Sequence, residues 1–173
     1  LQLSLTEVAH RTPKERELLA GMGARLTQWR ADIAQAFHED PRLFAEVIAS
    51  RRRRDAAGET ERQRHVVEEL RWLKKANGVL LEMIGISSHL ETDADDMLQG
   101  LGAKHARPEA TTARELARAA TRSLVEMISH NAASAEEKIV RFGLERSREI
   151  DLLEAIRQLP DGPGRIGLRS EVL

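Results

Sequence analysis

Four carboxylates, Glu91, Asp93, Asp95 and Asp96, crowd into the segment HLETDADDM. Glu91 and Asp95 are four residues apart and share a face if the segment is helical. Like charges so placed oppose a helix by about 0.2–0.5 kcal/mol, a repulsion that a bound cation would turn into coordination. The plainer reading is a solvated helix end, although a helix finishing at Gly100 would set these anions where its dipole disfavours them. Carboxylate and imidazole also recur together: Glu61 with His65, His65 with Glu69, His89 with Asp93, and Glu126 with His130. All are spaced by four, whereas di-metal sites in helical bundles use Glu-x-x-His. The third feature is the run Arg51, Arg52, Arg53 and Arg54. Guanidinium suits bidentate contact with oxyanions, which makes these residues candidates for binding phosphate, acidic headgroups or an acidic partner. Consecutive residues on a helix point in all directions, so a polar face interleaved with Asp55, Glu59 and Glu61 is the competing account.

Other chemistry is excluded by composition. With no Cys there is neither a disulfide framework nor a thiolate zinc site. Serine, threonine and histidine form no nucleophile elbow. Gly21-Met-Gly23 has no preceding strand to make it a phosphate loop, so it, Gly85 and Gly143 are read as small residues packed between helices. Lys plus Arg is 27 against 28 for Asp plus Glu, and aromatics are only 3%, which argues against a general nucleic-acid binder or a base-stacking platform. No stretch approaches the roughly 20 apolar residues of a membrane helix, so no membrane insertion by this segment is expected.

The elements that must position these groups are helical. Apolar residues make up 41% of 173, without period-two alternation, in a chain rich in Ala, Leu, Glu and Arg. Leu18, Met22, Leu26, Trp29, Ile33 and Phe37 mark one helical face. The helix is expected to stop near His38, because Asp40 and Pro41 resemble a cap followed by a first-turn proline, with Leu43, Phe44, Val47 and Ile48 facing inward from the next helix. A further break lies either at Gly58, ahead of the Thr60/Gln63 capping box, or at Asn77-Gly78. The apolar face then runs from Val66 to Leu101. After a loop from Lys104 to Pro108, the Thr112/Glu115 box opens a helix buried through Leu116, Ala120, Leu124, Met127 and Ile128. A turn at Asn131 to Ser134 leads to a last helix with Ile139, Phe142, Ile150, Leu153 and Ile156 inside, ended by Pro160. The expectation is an all-α antiparallel bundle of five to six helices, arranged as two related helical hairpins. Residues 1–159 form the domain, and 160–173 form a linker or docking tail.

The order of these pieces resembles the PhoU family of phosphate-signalling helical proteins, which also occur as the cytoplasmic domain of sodium/phosphate cotransporter-like proteins. FHEDPRLFAEVIASRRRRD is similar to one helix ending, an acidic turn, and the next helix running to a charged stretch. ISSHLETDADDML resembles the family's metal-motif segment, with Glu91 and Asp95 in the two motif positions, Ala94 where Gly is usual and Asp96 where His is usual. A second copy starts within RSLVEMISHNAASAEEKIVRFGLERSREIDLLEAIRQL but has no second acidic motif after Pro160. The resemblance implies a non-enzymatic, cytoplasmic regulatory domain acting on phosphate transport, or the cytoplasmic domain of a membrane protein. It implies a divalent or ferric metal ion on Glu91 and Asp95, joined by acids such as Glu145 and Glu149. A transporter or other protein is the expected partner. The alternative is a bundle that forms a homodimer or docks a partner, with no ligand of its own.

Overall fold

The structure, a computed structural model, describes residues 12–100 and 107–157. Among these the chain is all-α: α1 (Pro13–Ala56), α2 (Glu59–Gly100), α3 (Arg107–Arg141) and the five-residue α4 (Leu153–Arg157). The expected five to six helices are thus three long ones and a short turn. The expected tail, 160–173, lies outside the described residues.

Each expected break that failed has a local reason. Pro41 sits inside α1. It removes the N–H that would reach the Phe37 carbonyl, but both residues lie on an exposed side where solvent can serve that carbonyl. Asn131 and Asn77, which looked like turn residues, are held within α3 and α2 by one another: Asn131 Nδ2 donates to Asn77 Oδ1 at 2.8 Å, and Asn77 is buried. A side chain engaged across helices no longer competes for its own backbone. Of the two candidate breaks after Ile48 the chain uses Gly58, whose carbonyl accepts the N–H groups of Glu61 and Arg62, each at 3.1 Å. Gly58 and not Thr60 therefore caps α2, and Gln63 spends its amide on the Phe142 carbonyl at 2.9 Å.

The helix expected to reach Pro160 ends at Arg141. Gly143, at φ 58°, takes the left-handed conformation that closes α3. Its N–H reaches the Val140 carbonyl, and the Leu144 N–H reaches the Ile139 carbonyl at 2.9 Å, the paired bonds of a Schellman motif. Gly143 is a cap and not a packing residue. At Gly21, Gly23 and Gly85 a methyl group would likewise meet no neighbouring helix.

The chain divides into two compact units, each gathered from separate stretches: residues up to 35 with 83–121, and 36–82 with residues from 122 onward. The first unit has a small core of Leu19, Met22, Met97 and Ala110, with Leu26 and Leu98 against it. The second has a larger one built from Val47, Val66, Leu70, Leu73, Ala132, Ala135 and Ile139, closed by Ile150 and Leu152 from the segment beyond α3. Lys74 pins that segment, donating to the Arg148 carbonyl and to Glu154 Oε2 at 2.7 Å.

Burial on α1 follows a tighter repeat than expected. Leu19, Met22, Ala36, Val47 and Ser50 are buried, and the residues between them on the same 3-and-4 spacing are Leu26, Trp29, Ile33, Asp40 and Leu43. That is a mean step of 3.5, the period of helices that stay in contact over many turns. Stepping by four from Ile33 leads to Phe37 and on to Phe44, which are 67% and 51% exposed. Leu116 and Met127 of α3, expected inside, are exposed as well, as is Ala120, while Leu124 and Ile128 are buried as expected.

Two glycines give opposite outcomes. Gly78→Ala, in a helix interior with open space for a methyl, should stabilise the protein by about 0.5–1 kcal/mol, and Gly143→Ala should destabilise it by about 1 kcal/mol, both measurable by urea unfolding. The Lys74 ammonium holds the Glu154 carboxyl below its usual range. A carboxylate whose folded pKa is depressed contributes stability above the unfolded pKa and loses it as pH falls through the folded one. The thermal midpoint should therefore fall on acidification below the ordinary carboxylate range, and Glu154→Gln should flatten that fall.

Candidate functional site

Glu69 is the residue around which the second unit's charges are organised. It lies on α2 beside Val66, Leu70 and Leu73 and is fully buried. Its Oε1 accepts from Arg51 Nε at 2.7 Å and lies 3.2 Å from Lys138 Nζ; its Oε2 accepts from Arg54 Nη1 at 2.8 Å. The cations come from α1 and α3, so one carboxylate on α2 ties the three long helices together within this unit. Lys138 is fixed further by donating to Ser134 Oγ at 2.7 Å, one turn back.

This arrangement separates the arginine run. Arg51 and Arg54 turn inward to Glu69, Arg53 donates to Glu68 Oε1 and to Ser50 Oγ, each at 3.0 Å, and Arg52 is exposed. Arg54 also donates to Asp55 Oδ1 at 2.8 Å. That bond raises the Arg54 pKa and holds Asp55 below the usual carboxylate range, so both stay charged at neutral pH.

Above the Glu69 centre lies an open groove of about 920 Å³. The end of α1 contributes Arg54 and Asp55, the first turns of α2 contribute Glu59, Thr60, Arg62 and Gln63, and the end of α3 contributes Glu137, Lys138, Arg141 and Phe142. The Gln63 bond to the Phe142 carbonyl joins two of its walls. Arg141 rests over the Phe142 ring, 5.6 Å from its centroid. The rim follows the helix dipoles, with basic residues in the last turns of α1 and α3 and acidic ones in the first turn of α2. The result is four cationic and three anionic side chains around one concavity with an aromatic edge.

Three of the four carboxylates in the acidic stretch of the first unit are paired with arginines, and Asp96 is exposed. Arg118 donates to Glu91 Oε1 at 2.6 Å and lies 4.0 Å from Asp95, Arg114 donates to Asp95 at 3.2 Å, and Arg25 grips Asp93 through two bonds of 2.7 and 3.2 Å. The repulsion expected between Glu91 and Asp95 is thus answered by Arg118, whose pKa the Glu91 bond raises. Glu149 pairs with Arg71, and Glu145 is exposed. Among the described residues no group of three or more His, Asp and Glu side chains is placed to hold a metal ion. The carboxylate–imidazole pairs spaced by four separate as well. His65 Nδ1 is 3.4 Å from Glu68, and His89 stacks on Trp29 with ring centroids 5.8 Å apart.

Lys138 escaped the sequence reading, and Glu69 entered it only as a neighbour of His65, because charged residues on a charged helix look solvated. The signal was present: Glu69 occupies an inner position of the stripe Val66, Leu70, Leu73, where an unpaired carboxylate could not be buried. Glu69→Gln should destabilise the protein by roughly 2–3 kcal/mol, less than for a wholly buried pair because the three stranded cations keep some access to water. Lys138→Met, which leaves Glu69 two arginines, should cost less, and chemical denaturation of both variants checks the order.

Among the described residues no helix is long and apolar enough to cross a membrane. No curated protein and no solved structure matches the chain. Residues 3–149, most of the sequence, match the formiminotransferase-cyclodeaminase family. That match overturns the PhoU resemblance and, with it, a role in regulating phosphate transport. The structure explains why the likeness misled. FHEDPRLF, taken as a helix end and a new start, is uninterrupted helix, and the acids likened to a metal motif are arginine-paired. By this match the chain belongs to the formiminotransferase-cyclodeaminase family.

Proposed function

We propose that this chain is a ligand-binding helical domain of the formiminotransferase-cyclodeaminase type, and that the groove above Glu69 receives a folate carrying a one-carbon group. The observation that carries this reading is the mixed lining of the groove. Arg54, Lys138 and Arg141 suit carboxylates, Asp55, Glu59 and Glu137 suit the donor edge of a pterin, and Phe142 offers a face to its ring. Cyclodeamination joins a neighbouring nitrogen to the formimino carbon with loss of ammonia and leaves a cationic amidinium bridge. The three carboxylates of the rim would interact favourably with such a cation, and the Arg54 bond keeps one of them, Asp55, ionised. The chain's own part is to bind and orient the ligand, with no bond-making step assigned to its side chains. Residues 1–159 act as one domain in this reading, since the long helices run covalently through both units.

The test is a titration with tetrahydrofolate followed by calorimetry. Arg141→Gln removes a cation that takes no part in the Glu69 centre and should weaken binding about tenfold, the loss of one charge-assisted hydrogen bond, with little effect on folding. Absence of binding at millimolar ligand would defeat the proposal. Release of ammonia from a formiminofolate by the chain alone would show that it also catalyses.

A further inference from the structure

A second concavity, separate from the folate groove, lies in the same unit. It encloses about 640 Å³ and is lined by Arg53 of α1 and by Arg64, His65, Val67, Glu68 and Arg71 of α2. Three guanidinium groups and an imidazole thus surround one hollow that contains a single carboxylate. That carboxylate is shared: Glu68 accepts from Arg53 at 3.0 Å and lies 3.4 Å from His65. Arg71 reaches outward to Glu149. Arg64 is exposed, and among the described residues no carboxylate pairs with it. Arg53 and Arg71 keep 43% and 54% of their side-chain surface open to solvent, so their remaining N–H groups are available.

A solvated face does not require this convergence. Arg64 and Arg71 are seven residues apart and lie on one side of α2, where like charges repel. Arg53 is brought to the same hollow from another helix. The other members of the arginine run show the contrast, because Arg51 and Arg54 are matched by the buried Glu69. Around the second hollow three guanidinium groups meet two carboxylates, Glu68 and Glu149, so the charge of Arg64 is left over, and guanidinium groups fixed on two helices present the forked donors that phosphate oxygens accept.

We propose that this hollow binds a multiply charged phosphate-type oxyanion, held by Arg53, Arg64 and Arg71 with His65 at its side. The assignment is independent of the folate groove, since the two hollows have no lining residue in common. The shared chemistry admits a free anion or a phosphorylated headgroup, and the experiment separates them.

Calorimetric titration of the whole chain with inorganic pyrophosphate is the first arm, and co-sedimentation with vesicles containing phosphatidic acid is the second. Arg64→Gln, an exposed change that leaves every ion pair described above intact, should weaken binding about tenfold or more. Glu68→Gln should tighten it by removing the carboxylate that competes for Arg53. Arg141→Gln, in the other groove, should leave it unchanged. Binding of pyrophosphate that is lost in Arg64→Gln assigns the site to a free oxyanion, and vesicle binding alone with the same loss assigns it to a headgroup. If neither probe binds, or if Arg64→Gln binds as the wild type does, the proposal is overturned. Tetrahydrofolate binding that survives such a failure would leave the folate reading standing by itself.

Discussion

Burying Glu69 would be prohibitive without its cations. Transfer of a lone carboxylate into an apolar interior costs several kcal/mol even after relaxation, and only close, well-directed cations make it tolerable. Arg51 and Arg54 on α1 and Lys138 on α3 meet that condition. Because the charges must lie within about 3 Å of one another, the three helices of the second unit are held to a single register; a slip by one residue would move a cation off the carboxylate and leave it unpaired. Ordinary apolar packing tolerates such slips more easily, since Leu and Ile can repack. The ion centre therefore specifies the arrangement, and the apolar cluster of Val66, Leu70, Leu73 and Ile139 supplies most of the driving force around it.

The same constraint produces the surface above. Arg54 and Lys138 are fixed from beneath by Glu69 and face the groove with donors still free, while Asp55 is kept ionised beside them. Charged side chains in water lose much of their reach to motion and hydration; held from below, they act as preorganised binding groups. The Schellman turn at Gly143 completes the wall, because ending α3 at Arg141 brings the Phe142 carbonyl to Gln63. In the proposed reading, this groove is where the family's chemistry would be served. A family named for formimino transfer and cyclodeamination handles a one-carbon group, and this groove offers both signs of charge and one aromatic edge.

Charge is handled differently in the first unit. Asp93 and its neighbours Glu91 and Asp95 each find an arginine from α1 or α3, so three of the four carboxylates in the most acidic stretch are paired, while Asp96 is exposed. These pairs are partly exposed and individually contribute little, on the order of 0–1 kcal/mol. Their effect is selective, since they determine which helix faces meet and leave few carboxylates free for a cation.

The all-α class and the absence of thiolate chemistry were legible in the residue types alone. Helix propensity and the lack of alternation are properties of short segments, and a missing Cys stays missing in any fold. Helix ends were less legible. Pro41, Asn77-Gly78 and Asn131 are genuine local signals to stop, yet each was overruled by its surroundings: an exposed backbone at Pro41, and a hydrogen bond between side chains distant in sequence for the two asparagines. The buried stripe of α1 was misread at Phe37 because steps of three and of four are both helical, and only contact with neighbours over many turns selects the 3.5-residue mean. Least legible was the partner of each charge. Glu91 and Asp95 looked like ligands because they share a face, whereas their partners Arg118 and Arg114 lie 27 and 19 positions away in sequence. What the sequence determined by itself was the set of charges and the helices that carry them. Which charges meet, and so where a groove rather than a metal motif is built, was decided by the tertiary structure, because the energy of an ion pair depends on distance in space and on burial, and neither is a property of spacing along the chain.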